Sequence, residues 1–166
     1  MNKLNFGCGR KIKAGWINAD IQQGKEVDYS FNFDEFPYPL KDNNFDVVLA
    51  DNVFEHLENP ARVLDEIHRI CKKNAIIKII VPYYHCRGAY NDITHKHYFN
   101  EASFDNLVNP EKHYRLSEKN KFKIKKMDLI PTRLGKLIYP KKLRWMVSLV
   151  LGEIISLINV ELIVLK

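Results

Sequence analysis

"LNFGCGRKIKAGWINAD", residues 4–20, decides how this chain folds. An apolar start runs into Gly7-Cys8-Gly9, and an acid, Asp20, closes the next apolar run. We read Lys3–Cys8 as a strand, the two glycines as a tight turn against a ligand, Gly15 as a second turn, and Trp16–Asp20 as a second strand. Glycine lets backbone approach a ligand without a Cβ and permits positive φ. A carboxylate at the end of a second strand can accept both hydroxyls of a ribose, so an adenosine-containing ligand fits. A dinucleotide fits less well, because Ile12 stands at the third glycine position of G-x-G-x-x-G. No G-K-[ST] marks a P-loop.

Working outward, Val27–Phe31 reads as a short third strand and "FPYPLKDNN" as turn chemistry. Phe45–Ala50 is an apolar run suited to a strand buried on both faces. Asn59 is placed to cap a helix, Pro60 suits its first turn, and Asn74 is placed to end it. Val63, Leu64, Ile67, Ile70 and Cys71 form its apolar stripe. Ala75–Val81 is the next strand, stopped by Pro82. "NEASFDNLV" reads as a short capped helix, Phe122–Leu129 as a strand, Lys141–Leu157 as a helix and Val160–Leu165 as a closing strand. Alternating strands and helices mean an α/β sheet with helices packed on it. Ligands in such sheets sit beyond the carboxyl ends of the strands, where Gly7–Gly9, Asp20 and Asp51-Asn52 fall.

Length and composition are consistent with a single domain over residues 1–166. Cys8, Cys71 and Cys86 form no C-x-x-C pair, which suits a reducing cytoplasm, and "MNKLNFGCGR" lacks the apolar core of a signal peptide. "WMVSLVLGEIISLINVELIVL" is interrupted by Glu153, Asn159 and Glu161 before reaching the roughly 18 apolar residues of a transmembrane span. The net charge of +6 concentrates between Lys112 and Arg144, where Lys112, Arg115, Lys119, Lys121, Lys123, Lys125, Lys126, Arg133, Lys136, Lys141 and Lys142 also fall. Such a block attracts phosphates or anionic membranes, or is a solvated face; the solvated face is favoured.

"LNFGCG", "GWINADI", "FPYPLKDNNFDVVLADNVFEHLENPARVLDEIHRICK", "IKIIVPYYH" and "THKHYF" together resemble the small, stand-alone class I S-adenosylmethionine-dependent methyltransferases over residues 3 to about 104, and more loosely to the end. The resemblance implies a three-layer Rossmann-like methyltransferase fold, with a mostly parallel seven-stranded sheet whose last strand is antiparallel. It implies S-adenosylmethionine as cofactor and S-adenosylhomocysteine as product. Gly7 and Gly9 would line the methionine end, Asp20 would hold the ribose, Asn32 and Phe33 would lie near the adenine, and Asp51 and Asn52 near the sulfonium and methyl group, with Cys8 and Ile21 also among the cofactor-binding residues. The chain departs from the family in having asparagine at position 32, where an aspartate is common. Its first crossover is also abbreviated to Gly9–Gly15.

Methyl transfer from an activated sulfonium chiefly requires alignment of nucleophile, methyl and sulfur. A hydroxyl or amine acceptor also needs a group to take its proton, and histidine titrates in the right range. "PYYHCRGAYNDITHKHYF" should overhang the site. It supplies His95 as the catalytic or acceptor-binding candidate, and Tyr83, Tyr84, His85, His97 and Tyr98 as acceptor-pocket candidates. His56 reads as helix-entry packing and His68 as surface. The spacing H-C-x8-H-x-H over His85, Cys86, His95 and His97 matches no common zinc pattern, so no metal is expected. The sequence supports transfer to a small-molecule, glycan or lipid-linked acceptor. A nucleic-acid acceptor is possible but not favoured, and a non-catalytic, cofactor-binding partner subunit is a third reading.

Overall fold

The computed structural model describes residues 1–109 and 121–166. Lys112, Arg115 and Lys119 of the basic block lie outside the described residues. Strands β1 (Lys3–Phe6), β2 (Ile17–Asp20), β3 (Tyr29–Ser30), β4 (Phe45–Asp51), β5 (Cys71–Pro82), β6 (Phe122–Pro131) and β7 (Ile155–Val164) form a seven-stranded sheet in the order β3-β2-β1-β4-β5-β7-β6. The pairs β1–β2, β1–β4, β2–β3 and β4–β5 are parallel. β7 is antiparallel to both its neighbours, as expected, and wedges between β5 and β6. Glu161 on β7 is in register with Lys78 on β5 and Lys126 on β6, and its carboxylate pairs across the strands with Lys125 Nζ at 3.6 Å.

Leu4, Phe6, Val48, Ala50, Ile77, Ile79, Ile158 and Val160 are fully buried along the central strands. Helix α1 (Pro60–Ile70) packs against β5, and α2 (Glu101–Val108) against β6. Asn59 caps α1 by accepting from Arg62 N, and Asn100 forms a reciprocal capping box with Ser103 on α2. α3 (Lys141–Ser148) precedes β7.

β3 covers only Tyr29–Ser30 of the expected Val27–Phe31, β5 begins at Cys71 ahead of the expected Ala75, and two helix ends differ from expectation. α1 stops at Ile70, not Asn74, because Cys71 turns extended while its N–H still bonds Ile67 O, and Cys71 then pairs with Phe45 on β4. Asn74, at φ 63°, instead absorbs the kink before β5 resumes its register at Ile76. The helix expected over Lys141–Leu157 ends at Ser148. Leu157 belongs to β7, between Pro82 and Ile130, where strand pairing prevails over local helical pattern.

Residues 7–16 join two parallel strands without a helix. Two buried asparagines satisfy the backbone that a helix would otherwise satisfy. Asn5 Nδ2 donates to Lys11 O and to Asn18 Oδ1, both at 2.9 Å. Asn18 Oδ1 also accepts from Lys13 N at 2.9 Å, and its Nδ2 donates to Lys13 O and Trp16 O. Among the described residues, no helix is long and apolar enough to cross a membrane.

Candidate active site

At the carboxyl edge of β1, Gly7 and Cys8 both donate to Ala19 O, at 2.9 and 3.0 Å, which ties the turn to β2. Gly7 and Gly9 have φ of 71° and 48°. A Cβ on Gly7 would lie 2.3 Å from Val53 Cγ2, whereas one on Gly9 would meet nothing within 4 Å. Gly9 therefore presents bare backbone to open space, and Gly7 is required by its neighbour.

Gly9 N donates to Asp20 Oδ2 at 2.6 Å and Gln22 N to Oδ1 at 3.0 Å. These bonds orient the carboxylate, and each oxygen keeps a lone pair for a ligand hydroxyl. Gly7, Gly9, Asp20, Ile21, Asn32, Phe33 and Asn52 line a cavity of about 320 Å3. Asp34, Val53, His56 and Leu57, which sequence reasoning missed, complete its wall. Phe33 is held by stacking on Phe6, with ring centroids 3.9 Å apart. Asn32 accepts from Asp34 N and donates to Glu35, so its amide shapes the loop as well as the wall. Two expected residues are not in the lining. Cys8 is buried, and Asp51 pairs with Lys11 Nζ at 2.8 Å.

A second, larger cavity of about 750 Å3 shares Asn52 and His56 with the first. Glu55, Pro82, Cys86, Asp92, His95 and Thr132 are among its lining. His95 reaches this cavity as expected, but none of the five expected pocket residues does. Tyr83 is buried and donates from its hydroxyl to Glu101. Tyr84 stacks on His85, whose Nδ1 meets Ser148 O at 2.8 Å. His97 has a buried, unpartnered Nε2 among the described residues, and exposed Tyr98 stacks on Tyr90. These side chains shape the segment rather than the cavity wall.

His56 is not merely helix-entry packing. It ends a 3-10 turn, Phe54–His56, and its ring lies 4.7 Å from that of His95. The turn holds residues 95–97 in place, because the Glu55 carbonyl accepts from Lys96 N at 2.7 Å and from His97 N at 3.2 Å. His56 Nδ1 meets Thr94 Oγ1 at 2.8 Å, and that hydroxyl donates to Asp92 Oδ1 at 2.7 Å. Burial, then the neighbouring His95, lowers the His56 pKa and favours its neutral ring. Glu55 is 1% exposed, and neither carboxylate oxygen has a hydrogen-bond partner among the described residues. Burial pushes its pKa up to about 7, and its own backbone N–H and His95 only partly offset this. His68 is half-buried, with Nε2 at 2.7 Å from Leu165 O, and belongs to the fold.

The smaller cavity thus combines an oriented carboxylate at Asp20, apolar side chains at Phe33 and Leu57, and a Gly9 whose missing side chain leaves open space. Comparison with known proteins points to a methyltransferase fold. The family model described as "Methyltransferase domain" matches residues 24–79. The structure is similar to a SAM-dependent methyltransferase from Archaeoglobus fulgidus, with a TM-score of 0.69 at 16% identity over 98% of this chain and 85% of that one. It is also similar to a methyltransferase structure from Bacillus halodurans, with a TM-score of 0.67 at 12% identity over 99% and 93%. A chain from the Haloferax volcanii complex of the Trm112 methyltransferase activator with a methyltransferase gives 0.62 at 12% identity over 99% and 83%. No curated protein sequence matches the chain.

Proposed function

We propose that this chain, which has the class I S-adenosylmethionine-dependent methyltransferase fold and matches the methyltransferase domain model, methylates a small-molecule, glycan or lipid-linked acceptor held in the larger cavity. The observation that carries this reading is the meeting of two cavities at Asn52 and His56: one suited to a nucleoside, the other lined by ionisable side chains. S-adenosylmethionine supplies an activated methyl group and a neutral thioether leaving group. The chain's own residues bind and align. Asp20 holds the ribose, Gly7 and Gly9 border the methionine end, and Asn32 and Phe33 border the adenine. Asn52, at φ 57°, turns the chain at the end of β4 and lines both cavities.

On the acceptor side, a hydroxyl or amine that took the methyl group would have to give up its proton. His95 is the residue placed to bind or deprotonate the acceptor. Its Nδ1 lies 2.8 Å from Ala89 O, a pure acceptor, so Nδ1 carries the proton and Nε2 keeps its lone pair. In the stretches of chain next to Thr132 and Glu153 of its lining, Leu134, Leu137, Tyr139, Val150 and Leu151 are exposed, as are Lys136, Lys141 and Lys142. These exposed apolar and basic side chains favour the lipid-linked member of the acceptor set. A nucleic-acid acceptor is less favoured, because Lys125 and Lys126 already pair with Glu161 and Asp128.

Calorimetry with S-adenosylhomocysteine, followed by methyl-transfer assays with candidate acceptors with and without anionic vesicles, tests the reading. His95→Ala should cut transfer at least 100-fold and leave cofactor affinity within about twofold. Failure of the parent protein to bind S-adenosylhomocysteine would overturn the proposal. Cofactor binding without turnover, together with co-purification of a larger chain, would favour the partner-subunit reading.

A further inference from the structure

We infer that Glu55, His56 and His95 form a binding site for one borderline divalent cation, such as Zn2+, in the floor of the larger cavity. One possible ligand atom from each residue lies within 4.8 Å of the others. Bonds of about 2.0–2.2 Å place the ligands of an occupied site roughly 3–3.5 Å apart. The set therefore needs to close by only about 1–2 Å, within reach of side-chain rotation.

The independent observation is Glu55. Glu55 is 1% exposed, is among the residues lining the cavity, and has no hydrogen-bond partner for either carboxylate oxygen among the described residues. A buried carboxylate in that condition is costly, and native sites of this kind are paired or coordinate metal. Hydrogen bonds also prepare both histidines as ligands. The Ala89 carbonyl fixes the His95 tautomer with its lone pair on Nε2. On His56 the argument has one more step. Thr94 has a single hydroxyl proton, and Asp92, an acceptor only, takes it. Thr94 Oγ1 must then accept from His56 Nδ1–H, which leaves the His56 lone pair on Nε2 as well. Histidine ligands whose second nitrogen is held by an oxygen partner are the usual arrangement around protein-bound metals.

Two neutral imidazoles and one carboxylate select a first-row ion over Mg2+ or Ca2+, which take oxygen ligands. Three protein ligands leave coordination positions open toward the cavity. This part rests on the proposed methyltransferase reading: with His95 Nε2 engaged as a ligand and no longer free as a base, a cation there would itself hold the oxygen of an acceptor and favour its deprotonated form, with the proton released to solvent. The ligand set drawn from 55–56 and 95 is invisible to spacing along the His85–His97 segment. His85 and Cys86 of that segment are instead engaged by the carbonyls of Ser148 and Ser156.

Titration of chelator-stripped full-length protein with Co2+, read by its visible absorption, and with Zn2+, read by calorimetry, tests the site without any cofactor. One equivalent should bind, with at least tenfold preference over Mg2+. Glu55→Gln and His95→Ala should each weaken binding at least tenfold, with unchanged circular dichroism. Thr94→Val, a positioning change, should weaken it less. His95 lies on a half-exposed loop, so that variant keeps the test valid if Glu55→Gln alters folding. Equal binding by parent and variants would place the ion on other histidines and overturn the site, as would no binding by the parent. S-adenosylhomocysteine calorimetry on the same samples reads the methyltransferase proposal separately, so either can fail alone.

Discussion

Gly7→Ala should damage the cofactor site through a single contact. The new Cβ would stand 2.3 Å from Val53 Cγ2, 3.1 Å from Cγ1 and 3.3 Å from its Cβ. Carbon atoms settle at about 3.5–4.0 Å, so more than an ångström must be found. The positive φ of 71° adds about 1–2 kcal/mol for any residue with a Cβ. Overpacking of this kind costs about 1–3 kcal/mol, so the total is about 2–5 kcal/mol. Part will appear as lost stability. Part will appear as displacement of Val53, which lines the cofactor cavity just ahead of the Phe54–His56 turn. Gly9→Ala should cost only the φ penalty, because its Cβ enters open space. Thermal unfolding and S-adenosylhomocysteine calorimetry on both variants make the comparison. The double variant Gly7→Ala/Val53→Ala should recover about half the loss, because it removes both clashing methyl groups. Strict additivity in that cycle, or equal effects of the two glycine changes, would refute the contact argument.

Asp20→Ala should weaken S-adenosylmethionine binding by about 1.5–3 kcal/mol, seen by calorimetry, through lost charge-assisted hydrogen bonds. Asn18→Leu should lower stability by about 2–4 kcal/mol in urea unfolding, because the backbone of Lys13 and Trp16 loses its partners. Arg69 binds Glu66 through two nitrogens, at 2.9 and 2.7 Å, and also bonds Asp42 and the carbonyls of Leu40 and Tyr38. Arg69→Met should therefore cost about 2 kcal/mol at neutral pH. The Arg69 hydrogen bond chiefly lowers the folded-state pKa of Glu66. This stabilisation is full above the ordinary glutamate value, near pH 4.5, and is lost as pH falls through the depressed one. Parent and Arg69→Met unfolding curves should thus converge in acid.

Most of the sheet was legible because buried parallel strands are written as continuous apolar runs, and Phe45–Asp51 is one. Caps at Asn59 and Asn100 were legible for the same local reason: the capping side chain and the backbone it satisfies are three residues apart. The two misplaced helix ends depend instead on partners far along the chain. Cys71 leaves its helix to pair with Phe45, and Leu157 joins Pro82 and Ile130. Gly7, Gly9 and Asp20, singled out from turn chemistry within residues 4–20, do line the smaller cavity, whereas most of the expected acceptor-pocket residues line neither cavity. Tyr83, Tyr84, His85, His97 and Tyr98 are adjacent in sequence to His95, but the segment carries them to aromatic stacking and carbonyl contacts away from the cavity lining.

The abbreviated crossover explains why the two asparagines matter beyond stability. A helix after β1 would normally satisfy its own backbone and leave the turn free to follow the ligand. Here the turn is fixed from both sides. Asn5 and Asn18 fasten residues 11–16 beneath it, and Ala19 O fastens Gly7 and Cys8 above. Gly9 N is then spent on Asp20 rather than offered to a carboxylate of the ligand. On the proposed reading, the ribose contact would thereby be preorganised at the expense of one amide that could hold the methionine end. The energetic weight of cofactor recognition would then fall on Asp20. Loss of its carboxylate should remove a ligand contact and free the Gly9 turn in the same step.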